Sequence, residues 1–428
     1  MKHRSAALLL AAVFSATMLG ACSTEPVSGV SQSQSAIKLA DRNWDNFNRA
    51  KIEKFLNTYG KNSPSYNPAK PPYAVFDWDN TMVFLDVEEA TFIYQLENLR
   101  FAMTPEQMDK ALRMEVPKTN FAKDYNNAAG QPVNIDLAVP DAVDSYRWIY
   151  NNYKGMKGQL SLADVKKNPH YANFTTKVRY MYEAIGDTFD VSIAYPWVLY
   201  LFTGMNEQQV RQMVNETLEW QKTQPIEKVK WTSPASLPGQ AGVVSVSWKN
   251  GLRLMPEMQD AFKAFRDAGF DVWVCTASFV DVIKEISSNP NYGYNNPADR
   301  VIGMELERDA NGIIQTEFRH GYVQTQQKGK TKAIERFLVS KYGYGPSFVA
   351  GDSEGDMNMM QDFADTKLVL IVNRLKGKDI ATLSKQAVES YRTPDAKILL
   401  QGRNDNTGQF VKSQAHIKFG ATQGQVLK

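Results

Sequence analysis

The chain has 428 residues, of which 43% are hydrophobic and 22% charged, and a formal net charge of +3. That composition gives a folded protein with a sizeable core and excludes a disordered or low-complexity chain. Two cysteines exclude a disulfide scaffold, and 49 basic against 46 acidic residues give no reason to expect a nucleic acid or other polyanion as partner.

Residues 1–21 read as an export signal. Lys2 and Arg4 precede "AALLLAAVF" (Ala6–Phe14), an apolar run too short to span a membrane, and "LGAC" (Leu19–Cys22) follows. The small residues before a cysteine resemble the lipobox of bacterial lipoproteins. The resemblance implies cleavage before Cys22 and lipidation of Cys22. With Ser23 next, it also implies a lipid-anchored place in the cell envelope, on the outer membrane facing the periplasm of a Gram-negative bacterium. The alternative is a plain secretory signal with Cys22 there by chance. Residues 22–40 then serve as a flexible polar tether. Loss of Lys2 and Arg4 takes the net charge from +3 to +1. No later stretch reaches roughly 18 consecutive apolar residues, so membrane contact is through the lipid. With Cys22 lipidated, Cys275 has no disulfide partner and reads as a buried strand residue, not a catalytic thiol.

The folded part opens with helical spacing over Trp44–Gly60, stopped by the glycine. A Pro/Ser/Asn-rich loop leads to "YAVFDWD", a short apolar strand ending in Asp77 and Asp79. From Leu85 to Thr223 the pattern is mostly helical and dense in aromatic residues, and "SPASLPGQAG" (Ser233–Gly242) marks a boundary. Strands and helices then alternate. A helix ends at Gly269, "DVWVCTAS" is a strand and "FVDVIKEISSN" a helix. Residues 300–319 form a hairpin turning at Asn311-Gly312, and "KTKAIERFLVSKYG" is a helix. "SFVAGD" is a strand, "GDMNMMQDFA" a helix and "KLVLIVN" a strand. Such alternation predicts an α/β fold with a parallel sheet flanked by helices, whose ligands sit at the carboxyl ends of the strands.

Three strands end in polar residues: Asp77–Thr81, Thr276–Ser278 and Gly351–Asp352, with Asp356 a turn further on. Capping explains any one of these acids. Four carboxylates at one sheet edge repel each other unless a cation joins them, and hard oxygen ligands suit Mg²⁺. Phosphoryl transfer needs a nucleophile, a metal, donors to the phosphoryl oxygens and an acid for the leaving group. Asp77 is the candidate nucleophile and Asp79 the acid and base. Thr276 is the phosphoryl donor, with Ser278 as its alternative, and Lys330 neutralises charge, with Lys328 and Lys332 as alternatives.

"DWDNT", a strand ending "VCTAS", a lysine opening a helix, and "GDSEGD" resemble, in order and spacing, the four motifs of the haloacid dehalogenase-like phosphatases. The resemblance implies a Rossmann-like core and an aspartyl-phosphate mechanism. It also implies Mg²⁺ held by Asp77, the Asp79 carbonyl and Asp352, with Asp356 nearby. The 195 positions between Thr81 and Thr276 then hold a large helical cap inserted after motif one. The expected divisions are 41–81 and 251–428 for the core and 82–250 for the cap, which excludes water and selects substrate.

Residues 76–97, with the acidic pair Glu88 and Glu89, resemble phosphorylcholine phosphatases more closely. This implies a small, cationic phosphomonoester, with Phe84, Glu88 and Glu89 and the cap aromatics Tyr195 and Trp197 as candidate substrate contacts. A phosphoserine-type or broad-range phosphatase on the same core is the alternative. A non-catalytic envelope binding lipoprotein is the rival from another class.

Overall fold

The computed structural model describes residues 35–427. The expected signal, Cys22 and the tether up to residue 34 lie outside the described residues. Helix α1 (Asn46–Tyr59) begins where the Asp45 carboxylate accepts the Phe47 and Asn48 N–H groups. It stops at Gly60, where a Cβ would lie 2.4 Å from the Leu56 carbonyl and 2.5 Å from that of Ala268.

Strand β1 (Tyr73–Phe76) follows, and it ends before the acidic residues, which therefore lie in the loop beyond it. The chain leaves the core through β2 (Val83–Phe84) and enters the cap. There it builds α2 (Val87–Asn98), α3 (Pro105–Arg113), α4 (Ile135–Asn152), α5 (Leu162–Lys166), α6 (Pro169–Thr188), α7 (Val191–Leu199) and α8 (Glu207–Gln221). The cap closes with an antiparallel ribbon of β3 (Glu227–Thr232) and β4 (Ser245–Asn250). The return crossing, β5 (Arg253–Leu254), pairs with β2: Val83 faces Leu254 and Phe84 faces Arg253.

The core resumes with α9 (Pro256–Asp267), β6 (Asp271–Phe279), α10 (Val280–Ser288) and β7 (Val301–Met304). A hairpin of β8 (Leu306–Arg308) and β9 (Ile314–Phe318) comes next. Helix α11 (Lys328–Ile334) runs through a π turn at Glu335–Val339 to Tyr342. Strands β10 (Phe348–Gly351), β11 (Leu368–Val372) and β12 (Ile398–Gln401) complete the sheet.

The six strands are all parallel, in the order β12–β11–β10–β1–β6–β7. Alternation along each strand feeds one core on each face. Ala74 and Phe76 join one with Phe262, Phe265 and Phe348, while Tyr73 and Val75 join the other with Ile334 and Leu338. Burial on both faces explains why the strands read as unbroken apolar runs. With β1 central, the chain reaches β6 on one side and β10 on the other, so the crevice opens at the carboxyl end of β1. This is the expected α/β core with a helical insertion after β1. Ala36 onward gathers into one compact unit, and no helix among the described residues is long and apolar enough to cross a membrane.

Two local expectations change. Residues 300–319 are not one hairpin. Val301–Met304 is absorbed as the edge strand β7, and only the residues after it turn back, around Gly312 at φ 76°. Ser233–Gly242 is not a boundary but the loop between β3 and β4, clamped inside the cap. The buried Asp141 carboxylate on α4 accepts the Gln240 and Ala241 N–H groups at 2.8 and 2.9 Å. It also pairs at 2.6 Å with the fully buried Lys177 of α6, whose ammonium donates to the Pro238 carbonyl. The cap joins the core at further places. Gly204 and Met205 exchange backbone hydrogen bonds with Ile314 of β9, Arg211 of α8 pairs with Glu285 of α10 at 2.5 Å, and Tyr292 donates to Asn215 at 2.6 Å.

Breaking a buried pair strands one charge. Lys177→Met is therefore expected to lower unfolding stability in urea by about 3 kcal/mol. A loss under about 1 kcal/mol would mean that Asp141 is held by its backbone donors alone.

Candidate active site

Past Phe76 the backbone keeps its alternation for one more step. The Asp77 N–H donates to the Ala350 carbonyl at 2.9 Å. Trp78 turns into the core against Tyr294 and Phe262. Asp77 and Asp79 take the opposite side.

Asp77 is buried, and both its oxygens are engaged. Oδ1 accepts from Lys330 Nζ at 2.5 Å and Oδ2 from Thr81 Oγ1 at 2.9 Å. Lys330, itself buried, also donates to Asp356 Oδ1 at 2.6 Å. The other Asp356 oxygen accepts the N–H groups of Asp352 and Ser353 at 3.0 and 3.1 Å. This close approach requires Gly351, since a Cβ there would fall 2.6 Å from the Asp356 side chain. Asp352 pairs with Arg374, which follows β11, and takes a longer 3.4 Å contact from Thr81. Helix phase selects among the lysines: Lys328 and Lys332 are exposed, and Lys330 alone of the three points inward.

Asp77, Asp352 and Asp356 each offer an oxygen within 4.8 Å of the others, all buried. Burial, Asp356 and Asp352 push Asp77 up to about 8 against the pull of Lys330. On Lys330 itself burial opposes the charge, but Asp356 and Asp77 outweigh it and hold the pKa above the usual lysine range. With all three ionised, three carboxylates face two cationic side chains, and one negative charge is left over. An all-oxygen set with surplus negative charge fits a hard divalent cation.

Asp79 lies beside this group and is oriented separately. Val87 N–H donates to Oδ1 and Ser278 Oγ to Oδ2, each at 2.7 Å. Burial, with Asp86 and Asp77 nearby, pushes its pKa well above the usual carboxylate range, against the Val87 and Ser278 hydrogen bonds, a shift that favours the proton-bearing form. The motif-two alternatives have different contacts. Ser278 touches Asp79, while the Thr276 hydroxyl accepts the Ser278 N–H at 3.1 Å and the Thr276 carbonyl accepts from Thr325 at 2.6 Å.

The candidate substrate residues separate. Tyr195, on the first half of α7, is 40% exposed. Burial and the charges of Asp356, Asp352 and Asp77, partly offset by Lys330, push its phenol up to about 12. Gln324 Nε2 donates to the Ser192 carbonyl in this half of α7 at 3.1 Å. Glu89 is partly exposed and paired with Arg179, a buried guanidinium between the rings of Tyr182 and Trp248. Burial pushes Glu89 up to about 7 against Arg179. The other three are corrections. Glu88 is buried and accepts the Phe279 N–H at 2.8 Å, so it supports the end of β6. Trp197 is buried and donates to the Leu112 carbonyl at 2.9 Å, as a core residue of the cap. Phe84 is buried beneath the Arg403 guanidinium, 4.8 Å from its ring. Not anticipated were Thr81 as a ligand of Asp77, Asp86, Tyr182, Arg374 and Arg403. Arg374 follows an apolar strand directly, and that signal was available.

Residues 239–361 match the family model of haloacid dehalogenase-like hydrolases. The chain is 21% identical over 238 residues to phosphorylcholine phosphatase of Pseudomonas aeruginosa, covering 56% of this chain and 50% of that protein. The match thus spans about half the length of that relative. A conserved functionally unknown protein from Anaerococcus prevotii, known from its crystal structure, is 30% identical. That likeness covers 90% of this chain and 99% of the other, with a TM-score of 0.84. The chain therefore carries a haloacid dehalogenase-like hydrolase domain, within an architecture shared along nearly its whole length with the Anaerococcus protein. The family match begins after motif one, and the sheet brings Asp77 back to it through the contact with Lys330.

The crowding of carboxylates has a measurable cost. A carboxyl raised from an ordinary value near 4 to about 8 is protonated in the fold where the unfolded chain has lost its proton, so stability falls as pH rises through that window. Asp77→Asn, in excess chelator, is expected to melt above the wild type at pH 8, by about 2 °C or more, and level with it at pH 4. Melting below the wild type at pH 8 would show that the lost charge matters more to Lys330 than the crowding does.

Proposed function

We propose that the protein is a Mg²⁺-dependent phosphatase acting on small phosphomonoesters through an aspartyl-phosphate. The carrying observation is the buried Asp77 clasped by Lys330 beside a second buried carboxyl, Asp79, that is oriented separately by Val87 and Ser278. Asp77, Asp352 and Asp356 are the residues that would hold the metal. When bound, it supplies charge neutralisation to the phosphoryl oxygens.

Asp77 attacks phosphorus and forms the acyl phosphate as the P–O bond to the leaving group breaks. Thr81 and Lys330 fix its two oxygens, so the attacking geometry is set before substrate arrives. Lys330 also offsets the charge that the phosphoryl group brings. Asp79 gives its proton to the departing alkoxide. The resulting carboxylate, held by Ser278 and the Val87 N–H, then takes a proton from the water that attacks the phosphoenzyme. As the water oxygen bonds phosphorus, the P–O bond to Asp77 breaks and Asp77 leaves as a carboxylate; water ends as the hydroxyl of phosphate, and Asp79 is reprotonated.

For the leaving group we favour a cationic alcohol such as choline. The likeness to phosphorylcholine phosphatase supports it, and so do the partly exposed carboxylate of Glu89 and the exposed ring of Tyr195, which feels the charges of the Asp77 group. Glu89 carries this reading in place of the expected pair, because Glu88 is used by the backbone. The partial pairing of Glu89 with Arg179 favours keeping the phosphoserine-type alternative in the test. The lipid anchor at Cys22, holding the enzyme at the outer membrane, is part of the same proposal.

Phosphate release over a panel of phosphomonoesters, with and without Mg²⁺, tests the reaction. Asp77→Asn is expected to lose nearly all turnover, and Asp79→Asn about 10²–10⁴-fold. Full activity in excess chelator, or near-normal turnover by Asp77→Asn, rejects the mechanism. Glu89→Gln is expected to lower kcat/KM for phosphorylcholine about tenfold and to change a neutral aryl phosphate about twofold or less. Equal losses reject the choline reading and leave the phosphatase. Cys22→Ser is expected to release the protein from membranes, and continued sedimentation with them would remove the anchor.

A further inference from the structure

The C-terminal segment beyond β12 lies outside the family match, yet it reaches the first motif. Arg403 is buried and its guanidinium fork is shared. Nη1 donates to the Asn80 carbonyl at 3.0 Å and Nη2 to Asn80 Oδ1 at 3.3 Å. Nε and Nη2 both donate to Asp405 Oδ1 at 3.3 Å. Asn80 sits between Asp79 and Thr81, in the left-handed region at φ 62°. Asparagine adopts that conformation more readily than other non-glycine residues, at a modest cost that contacts from its neighbours offset.

The same fork lies on the ring of Phe84, in the outgoing crossing to the cap. Gly408 packs so closely on that ring that a Cβ would come within 2.9 Å of it and 3.1 Å of Arg253, in the return crossing. Asp405 in turn accepts from Lys249 of the cap ribbon at 2.6 Å and lies 3.6 Å from His416. One guanidinium therefore links the turn carrying Asp79 and Thr81 to both crossings and to the cap. Burial, with Arg374 nearby, pulls the pKa of Arg403 down to about 10, so holding this charge inside is costly. A methionine of similar size fills the space without that cost and makes none of the Asn80 contacts.

We propose that Arg403 is a positioning residue for the reaction: it holds the Asp79–Asn80–Thr81 turn, left-handed at Asn80, against the cap crossings and so aims the proton of Asp79 at the leaving group. The catalytic part of this rests on the phosphatase reading. The positional part does not.

The test uses the full-length protein with Arg403→Lys and Arg403→Met. Lys keeps the charge beside Asp405 but cannot span both Asn80 oxygens. The first readout compares an alkyl phosphate, whose leaving group needs a proton, with a nitrophenyl phosphate, whose leaving group does not. Arg403→Lys is expected to lower kcat about 10²-fold on the alkyl ester, with KM nearly unchanged, and about fivefold or less on the aryl ester. Equal losses on the two esters would indicate a smaller folded fraction and overturn the proposal. The second readout is amide hydrogen exchange, which needs no activity. The Asn80 and Met82 N–H groups, bonded to the Leu85 and Trp78 carbonyls, are expected to exchange at least tenfold faster in both variants, with β10 and β11 unchanged. Unchanged exchange at Asn80 and Met82 overturns the positional claim, even if the wild type hydrolyses no phosphomonoester. If Arg403→Met fails to fold, Arg403→Lys decides alone.

Discussion

The ammonium of Lys330, held between the carboxylates of Asp77 and Asp356, is the contact on which the site depends. All three groups are out of water, and each is costly to bury without the others. The arrangement demands that two neighbouring parallel strands end level and that α11 present one particular residue to them. The register of β1 with β10 supplies the first condition, pairing Phe76 with Ala350. Gly351 supplies the room for Asp356 to fold back towards Lys330. With all its carboxylates ionised the cluster carries negative charge in excess, and the raised pKa of Asp77 expresses that crowding in the place where chemistry is proposed.

Around that contact, each acid is held by groups from a different part of the chain. Thr81 fixes Asp77 from within motif one. Arg374 reaches Asp352 from the next strand end, and Ser278 reaches Asp79 from the far side of the sheet. Glu88 extends this by supporting the backbone just after Ser278. Much of the ordering is therefore done by residues that need not touch a substrate.

The core was legible in the sequence because strands buried on both faces leave continuous apolar runs, and because ligands of such sheets gather at strand ends. Lys330 could not be separated from Lys328 and Lys332 until the helix phase was fixed by packing, since all three follow a glutamine-rich turn with no capping side chain. The acidic pair was misjudged for a geometrical reason. Successive residues on a helix point about 100° apart, so Glu88 and Glu89 could not share an environment. Trp197 and Phe84 were indistinguishable from binding aromatics by type alone. Burial decided, and burial depends on distant partners such as Leu112 and Arg403. Arg403 was beyond reach, because its partner Asn80 lies 323 positions away.

The many attachments of the cap have a mechanical consequence. A rigid swing of the insertion would break the Arg211–Glu285 ion pair, the Tyr292–Asn215 hydrogen bond and the backbone bonds of Gly204 and Met205 to Ile314, and would uncover the apolar seam between α8 and α10. At about 1 kcal/mol for each hydrogen bond, with apolar exposure added, that movement is expensive. The first half of α7 is different. Pro196 interrupts the helix behind it, its residues Val191–Tyr195 are half-exposed or exposed, and the bond from Gln324 to Ser192 is itself exposed to water. Displacing those five residues therefore costs less than swinging the cap, so the softest part of the insertion is a short peptide tongue rather than the cap as a body.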